Sequence, residues 1–219
     1  MPFPDALSSR PVVRAPAQER TRESWERILD AGTLLLEEKG FEALTISAVC
    51  RDAHVSPPTI YARVDGLSGL FWAIYERGMI AVTATQAADL RDAAQTPPGS
   101  RERVIAVVKA GCATFIEHEN FLRPVIRFAS SNQTLLARGA ESSQVLVDEM
   151  TRLLSHADDD GAEAVARMIY AECVFRIMYG DHFLSHSPES PGEFQNRLAG
   201  LALARLQPAV GTQHGRPII

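Results

Sequence analysis

The chain has 219 residues, 46% of them hydrophobic, and a formal net charge of -5. That is ample apolar material for a core, in one large domain or a small one plus a larger one. The acidic balance excludes wholesale coating of nucleic acid through a broad basic surface while leaving room for a small local contact, and no apolar run reaches the roughly 20 residues that cross a bilayer.

Residues 1–18 read as a flexible tail, with Pro-spaced Arg10 and Arg14. The opening MPFPDALSSR lacks the basic flank and apolar stretch of a secretory signal, so the cytoplasm is the expected location. From Glu19 to Lys39, Trp25, Ile28, Leu29, Leu35 and Leu36 recur at helical intervals and form one stripe, and Gly40 ends the helix. Thr45 is the predicted N-cap of a second, short helix, ISAVCRDA, with Ile46, Val49, Cys50 and Ala53 facing inward. His54 and Val55 form a tight turn. Ser56 is then the predicted cap of a third helix that opens on Pro57 and Pro58, which first-turn positions accept because their amides have no intrahelical acceptor.

Two helices joined by a turn of about three residues make a helix-turn-helix, whose second helix enters the major groove N-terminal end first. A rigid helix start suits that task. An arbitrary helical hairpin has the same spacing, so the residues themselves must discriminate.

Those residues are ILDAGTLLLEEKGFEALTISAVCRDAHVSPPTIYARV, followed by LFWAIYERG. The stretch from about Arg20 to Gly78 resembles the TetR family of bacterial transcriptional regulators. The resemblance implies an all-α protein: a three-helix N-terminal helix-turn-helix domain at 19–66, then a larger helical effector-binding and dimerisation domain at 67–207, with a second flexible tail at 208–219. It further implies a homodimer on a palindromic DNA operator, released by a small-molecule effector that moves helix four. Carried onto this chain, Thr45, Ser56, Pro57, Thr59, Tyr61 and Arg63 are the expected DNA-binding residues. Hydroxyls can donate to phosphate oxygens without bringing charge, and arginine can reach a phosphate or a guanine. The chain departs from the family pattern at His54, at Pro57 and Pro58, at Val64 and at Leu67, where glycine, a lysine-bearing helix start, an aromatic and a phosphate-binding lysine are common. Fewer ionic contacts and a shallower salt dependence follow. An N-terminal arm carrying Arg10 and Arg14 into the minor groove would compensate in part.

Beyond Gly78 the helical pattern continues to about Ala94 and breaks at QTPPGS. Val104, Val108, Cys112 and Phe115 stripe the next helix. NFLRPVIRFASS is shorter, restricted by Pro124. A further helix spans about Gln133 to Leu154, with Leu146, Met150, Leu153 and Leu154 inward. The stretch from about Ala162 to Leu184 carries two apolar stripes, one of Val165, Ile169, Cys173 and Ile177, the other of Met168, Ala171, Phe175 and Met178. A helix apolar on two sides needs two partners, its own domain and a second subunit. The family resemblance implies that this helix and the last one, roughly Pro191 to Leu206, form a four-helix dimer interface, with Val165, Ile169, Phe194, Leu198 and Leu201 in it; the alternative is a monomer with a buried central helix.

Phe115, His118, Arg123, Arg127, Phe128, Met150, Phe175, Tyr179 and His182 mix large apolar and polar groups as an effector pocket in a helical bundle would. An inward Arg127 would favour an anionic effector. The cysteines Cys50, Cys112 and Cys173 are odd in number and far apart, and read as buried thiols. His182 and His186 stand four apart, but with only Asp181 as a third ligand no metal is expected, and no cofactor. The sequence lacks a Gly-rich phosphate loop, a nucleophile elbow and an HExxH, so an enzyme is not expected. The alternatives are a helical adaptor that has lost DNA binding and an all-helical enzyme.

Overall fold

The computed structural model describes residues 19–156, 161–184 and 186–206, with side chains from residue 22 onward. The expectations for Arg10, Arg14 and the segment 208–219 lie outside the described residues. Within them the chain is all-helical: α1 (Glu19–Lys39), a single 3-10 turn (Phe41–Ala43), α2 (Ile46–Ala53), α3 (Pro57–Tyr61), α4 (Gly66–Ala93), α5 (Arg101–Glu117), α6 (Glu119–Ala129), α7 (Gln133–Leu154), α8 (Ala162–Tyr179) and α9 (Pro191–Leu206).

Pro124 sits inside α6, which at 11 residues is shorter than the 17-residue α5, as the sequence suggested. Only one backbone hydrogen bond is forfeited, and the helix buries Phe121, Leu122 and Val125 in return. The apolar stretch to Leu184 is helical only as far as Tyr179, because Gly180 adopts φ 89° and donates its N–H to the Arg176 carbonyl. A positive φ closes a helix at little cost only where there is no Cβ.

The described chain forms two compact units. The first comprises residues up to Ala87 together with Thr114–Gln144, and the second Ala88–Ala113 together with residues from Val145 onward. The first division falls at Ala87, inside α4. The physical reason is that the beginning of α4 belongs to the N-terminal core: Leu70, Phe71 and Ile74 are completely buried there. All five residues of the α1 stripe, from Trp25 to Leu36, are buried with them. Gly32 of α1 lets Ile74 approach so closely that a Cβ would stand 2.3 Å from its Cδ1. Arg77 of α4 pairs with Asp30 of α1 and lies 3.6 Å from the Glu26 carboxylate. In the same unit the Phe121 ring of α6 lies over Gly78, where a Cβ would stand 2.1 Å from the ring.

In the second unit, Val107, Val108 and Cys112 of α5, Met150 of α7, Ile169 and Cys173 of α8 and Leu198 of α9 form the core, each at most 1% exposed. Arg103 is buried too, its guanidinium donating to the Thr96 carbonyl at 3.1 Å and to the Ala94 carbonyl at 2.9 Å. It thereby satisfies carbonyls that the end of α4 leaves open. All three cysteines are buried free thiols, and Cys112 and Cys173 approach to 3.8 Å between sulfurs. That contact and burial push the Cys173 thiol up, which keeps it protonated and unreactive.

Candidate nucleic-acid interface

The helix-turn-helix is built by three local devices. Thr45 is extended, and its Oγ1 accepts from the Ala48 N–H at 3.1 Å, the expected N-cap of α2. His54 takes the left-handed conformation, φ 54° and ψ 46°, where glycine would carry no strain. The turn then closes with the Val55 N–H on the Cys50 carbonyl at 3.0 Å. Ser56 is extended at the head of α3, but its side chain caps no amide. Pro57 and Pro58 have no N–H to offer, and the Thr59 N–H already donates to the Ser56 carbonyl at 3.0 Å. The Ser56 hydroxyl bonds the Thr59 hydroxyl instead, at 3.1 Å. Ile60, completely buried, anchors α3 to the core.

This leaves a neutral, hydroxyl-bearing outer surface. Thr45, Ser56, Pro57 and the ring of Tyr61 are exposed, the last at 52%, and Thr59 is half-buried. Ser47 belongs with them, exposed and 3.4 Å from the Thr45 hydroxyl. The sequence reading missed it, although a hydroxyl two residues past a cap was the available signal.

Arg63 is the correction. It lies beyond the end of α3, is only 4% exposed, and holds its guanidinium 5.8 Å from the centroid of the Trp25 ring. The five-residue helix ends at Tyr61, so the chain has already turned inward at Arg63, and the guanidinium packs as a cation on an aromatic face. Val64 is likewise buried. Arg51 is exposed, but its guanidinium is held by the neighbouring Asp52 at 2.7 Å, which lowers the Asp52 carboxyl below its ordinary range.

Phe115, His118, Arg123, Arg127 and Phe128 belong to the first unit, and Met150, Phe175, Tyr179 and His182 to the second. In the first, Phe115 is core. The mostly buried His118 bonds the Thr85 hydroxyl at 3.0 Å, and Arg123 pairs with Glu119. Arg123, Arg127 and Phe128 line a groove of about 1160 Å³, together with Glu37, Phe41, Thr45 and Leu67. Partial burial raises the Glu37 carboxyl above its ordinary range, against a smaller opposing effect of His118. In the second unit Met150 is core, packed against Gly111. Phe175 lines a groove of about 560 Å³ with Arg176, Phe183, Phe194 and Arg197. Tyr179 stacks beside Phe175 at 4.7 Å, exposed. His182 is exposed and bonds Asp181 at 3.0 Å. Because α8 ends at Tyr179, His182 and His186 do not share a helical face.

The five residues expected at a dimer interface differ in exposure. Val165, Ile169, Phe194 and Leu198 are buried in their own protomer, at 2% exposure or less. Leu201 alone of the five is open, at 47%. The stripe of α8 that remains accessible is the other one: Met168, Phe175 and Met178 are half-buried and Ala171 exposed. On α9, Gly200 and Ala204 accompany Leu201, with open space where a Gly200 Cβ would be.

An all-helical chain with a capped, left-handed-turn helix-turn-helix at its N-terminal end has the architecture of a DNA-binding regulator. Residues 28–65 match the family model described as bacterial regulatory proteins, tetR family. The helix-turn-helix segment is thus similar to that of the TetR family. The chain's fold is similar to SCO4454, a TetR-family transcriptional regulator from Streptomyces coelicolor, at TM-score 0.63 and 19% identity over 84% of this chain and 88% of that one. A TetR-like transcriptional regulator from Rhodococcus sp. RHA1 aligns at TM-score 0.62 and 18% identity over 86% and 96%. Salmonella enterica GusR aligns at 0.61 and 17% over 87% and 98%. No curated protein sequence matches.

Proposed function

We propose that this chain is a ligand-responsive transcriptional repressor that binds a palindromic operator as a homodimer and is released by a small-molecule effector. The observation that carries the reading is the helix-turn-helix itself: a capped α2, a left-handed turn at His54, and an α3 that begins abruptly and leaves Tyr61 exposed. Two such helices in one dimer address successive major grooves about 34–36 Å apart. Thr45, Ser56, Thr59 and Tyr61 donate hydroxyls to the phosphate backbone, with Ser47 beside them, while Pro57 stiffens the entry. The dimer forms through the open stripe of α8 with Leu201, Gly200 and Ala204 of α9. The effector binds in a groove among the residues named above and acts by its unequal affinity for the DNA-bound and free forms. Among the described residues no helix is long and apolar enough to cross a membrane, in keeping with a cytoplasmic regulator.

A second reading, a helical adaptor that no longer binds DNA, is favoured by one observation: no arginine or lysine lies within α3, and the Arg63 that follows it is buried. Fluorescence anisotropy separates the two readings. Labelled DNA from upstream of the chain's own gene is titrated against scrambled DNA over a salt series, alongside Tyr61→Phe. The regulator binds the first specifically with a shallow salt slope, and loss of one hydroxyl costs about 2- to 10-fold. Feeble, equal binding to both DNAs, repeated with fragments selected from the whole genome, sinks the regulator.

A further inference from the structure

The 3-10 turn that joins α1 to α2 is held from outside the helix-turn-helix. Phe41 opens that turn, and its ring stacks on Phe128 of α6 with centroids 4.0 Å apart and planes 21° apart. Behind both rings stands Phe71 of α4, completely buried, 4.7 Å from Phe41 and 6.0 Å from Phe128. The Phe41–Phe128 stack is not sealed in the core. Both rings are half-buried and form part of the wall of the same open groove, so the contact can part without unpacking Ile28, Leu36 or Ile60.

Just past the stack the chain reaches Leu44, 1% exposed, and then Thr45, which caps α2. The preceding Gly40, at φ 75°, donates its N–H to the Leu36 carbonyl and ends α1, so no helical backbone carries the direction of α1 across this junction. The turn contains no completely or nearly completely buried residue of its own. Its position therefore depends on what packs against it, and the Phe128 ring stacks on it at 4.0 Å.

We infer that Phe128 is a positioning residue for DNA binding: its ring, stacked on Phe41 against Phe71, sets the 3-10 turn from which α2 and α3 are hung. The inference rests on the DNA-binding reading above. It does not require Phe128 to touch DNA, and it assigns this residue to the alignment of the helix-turn-helix. A base-reading helix must be held in register with the groove, whereas loose phosphate contacts tolerate misalignment. Loss of the stack therefore weakens binding to a specific site and spares binding to arbitrary DNA.

The test uses the full chain and a fragment that the wild type selects from genomic DNA, compared with a scrambled fragment of the same length. Phe128→Ala, Phe128→Leu, Phe41→Ala and the double alanine variant are titrated by anisotropy, with near-ultraviolet circular dichroism to count the folded fraction. Each single alanine variant is expected to weaken specific binding about 2- to 10-fold and leave scrambled binding within about 2-fold, and the double variant to lose less than the product of the two. Phe128→Leu, which keeps volume without the ring, decides the matter if the alanine variant does not fold. Unchanged specific affinity in folded Phe128→Leu, equal losses on both DNAs, or singles that multiply fully in the double would each overturn the inference. A wild type that prefers no fragment at all overturns the DNA-binding reading first, and the inference with it.

Discussion

Gly78→Ala should destabilise the protein, although alanine is the better helix former. A Cβ at residue 78 would stand 2.1, 2.3 and 2.7 Å from three carbons of the Phe121 ring, where ordinary contact begins near 3.4 Å. The ring is rigid and 3% exposed, so it cannot swing into solvent, and the α4–α6 contact has to open. Overpacking of this kind costs about 1–3 kcal/mol. The gain from replacing glycine inside a helix is about 1 kcal/mol. The net change should be a loss of about 1 kcal/mol, or a urea midpoint lowered by about 0.5 M for a slope near 2 kcal/mol/M. Protein concentration is held constant between samples, because dimerisation would otherwise shift the midpoint. In a Phe121→Leu background the obstruction is gone, and Gly78→Ala should turn stabilising by up to about 1 kcal/mol. An increase in midpoint in the wild-type background, or the same change in both backgrounds, would refute the packing argument.

Three further outcomes follow from single residues. Arg63→Ala should lower the urea midpoint and alter Trp25 fluorescence, because it removes a buried guanidinium from an indole face. The slope of log affinity against log salt should stay as it was, and a drop of about 0.9 would restore Arg63 as a phosphate contact. His54→Val should cost about 1–2 kcal/mol through left-handed strain, while His54→Gly is neutral or stabilising, as read by thermal melting. Equal melting temperatures for the two would show that the turn has changed conformation. Glu37→Gln addresses a carboxyl whose folded pKa is raised by burial. A raised pKa makes the folded state hold its proton more tightly than the unfolded one, so the stability it confers is present at low pH and lost as pH rises through the folded value. The glutamine variant should therefore be the more stable protein at pH 7, with its advantage over wild type vanishing below the ordinary carboxylate range. An advantage that grows on acidification reverses the sign and removes the argument.

The N-terminal elements were legible because each is specified by neighbours in the chain. The α1 stripe follows from helical spacing, the α2 cap from a threonine three residues before the amide it binds, and the α3 start from two prolines that only a first turn accepts. The left-handed turn was legible only as a question, since histidine can enter or avoid that region and the closing bonds decide it. Where local cues conflict, tertiary packing wins: Pro124 stays inside α6 because burial of Phe121 and Leu122 outweighs one missing amide.

Sites were harder to read because a side chain's type does not say which way it faces. Arg63 looks like the cation of a recognition helix, yet helix length turned it onto Trp25. Val165 and Met168 are both apolar and three residues apart, and only the packing of α8 shows that the first is core and the second accessible. Phe128 reads in sequence as an effector-pocket aromatic, and its stacking partner Phe41 lies far away along the chain. By itself the sequence determined the helices, their caps and the resemblance of the helix-turn-helix segment to a known family, because those depend on spacing and backbone chemistry within a few residues. The tertiary structure decided which stripe is covered, which cation is buried and which rings stack beside the 3-10 turn, because each depends on contacts between residues that the chain brings together only when it folds.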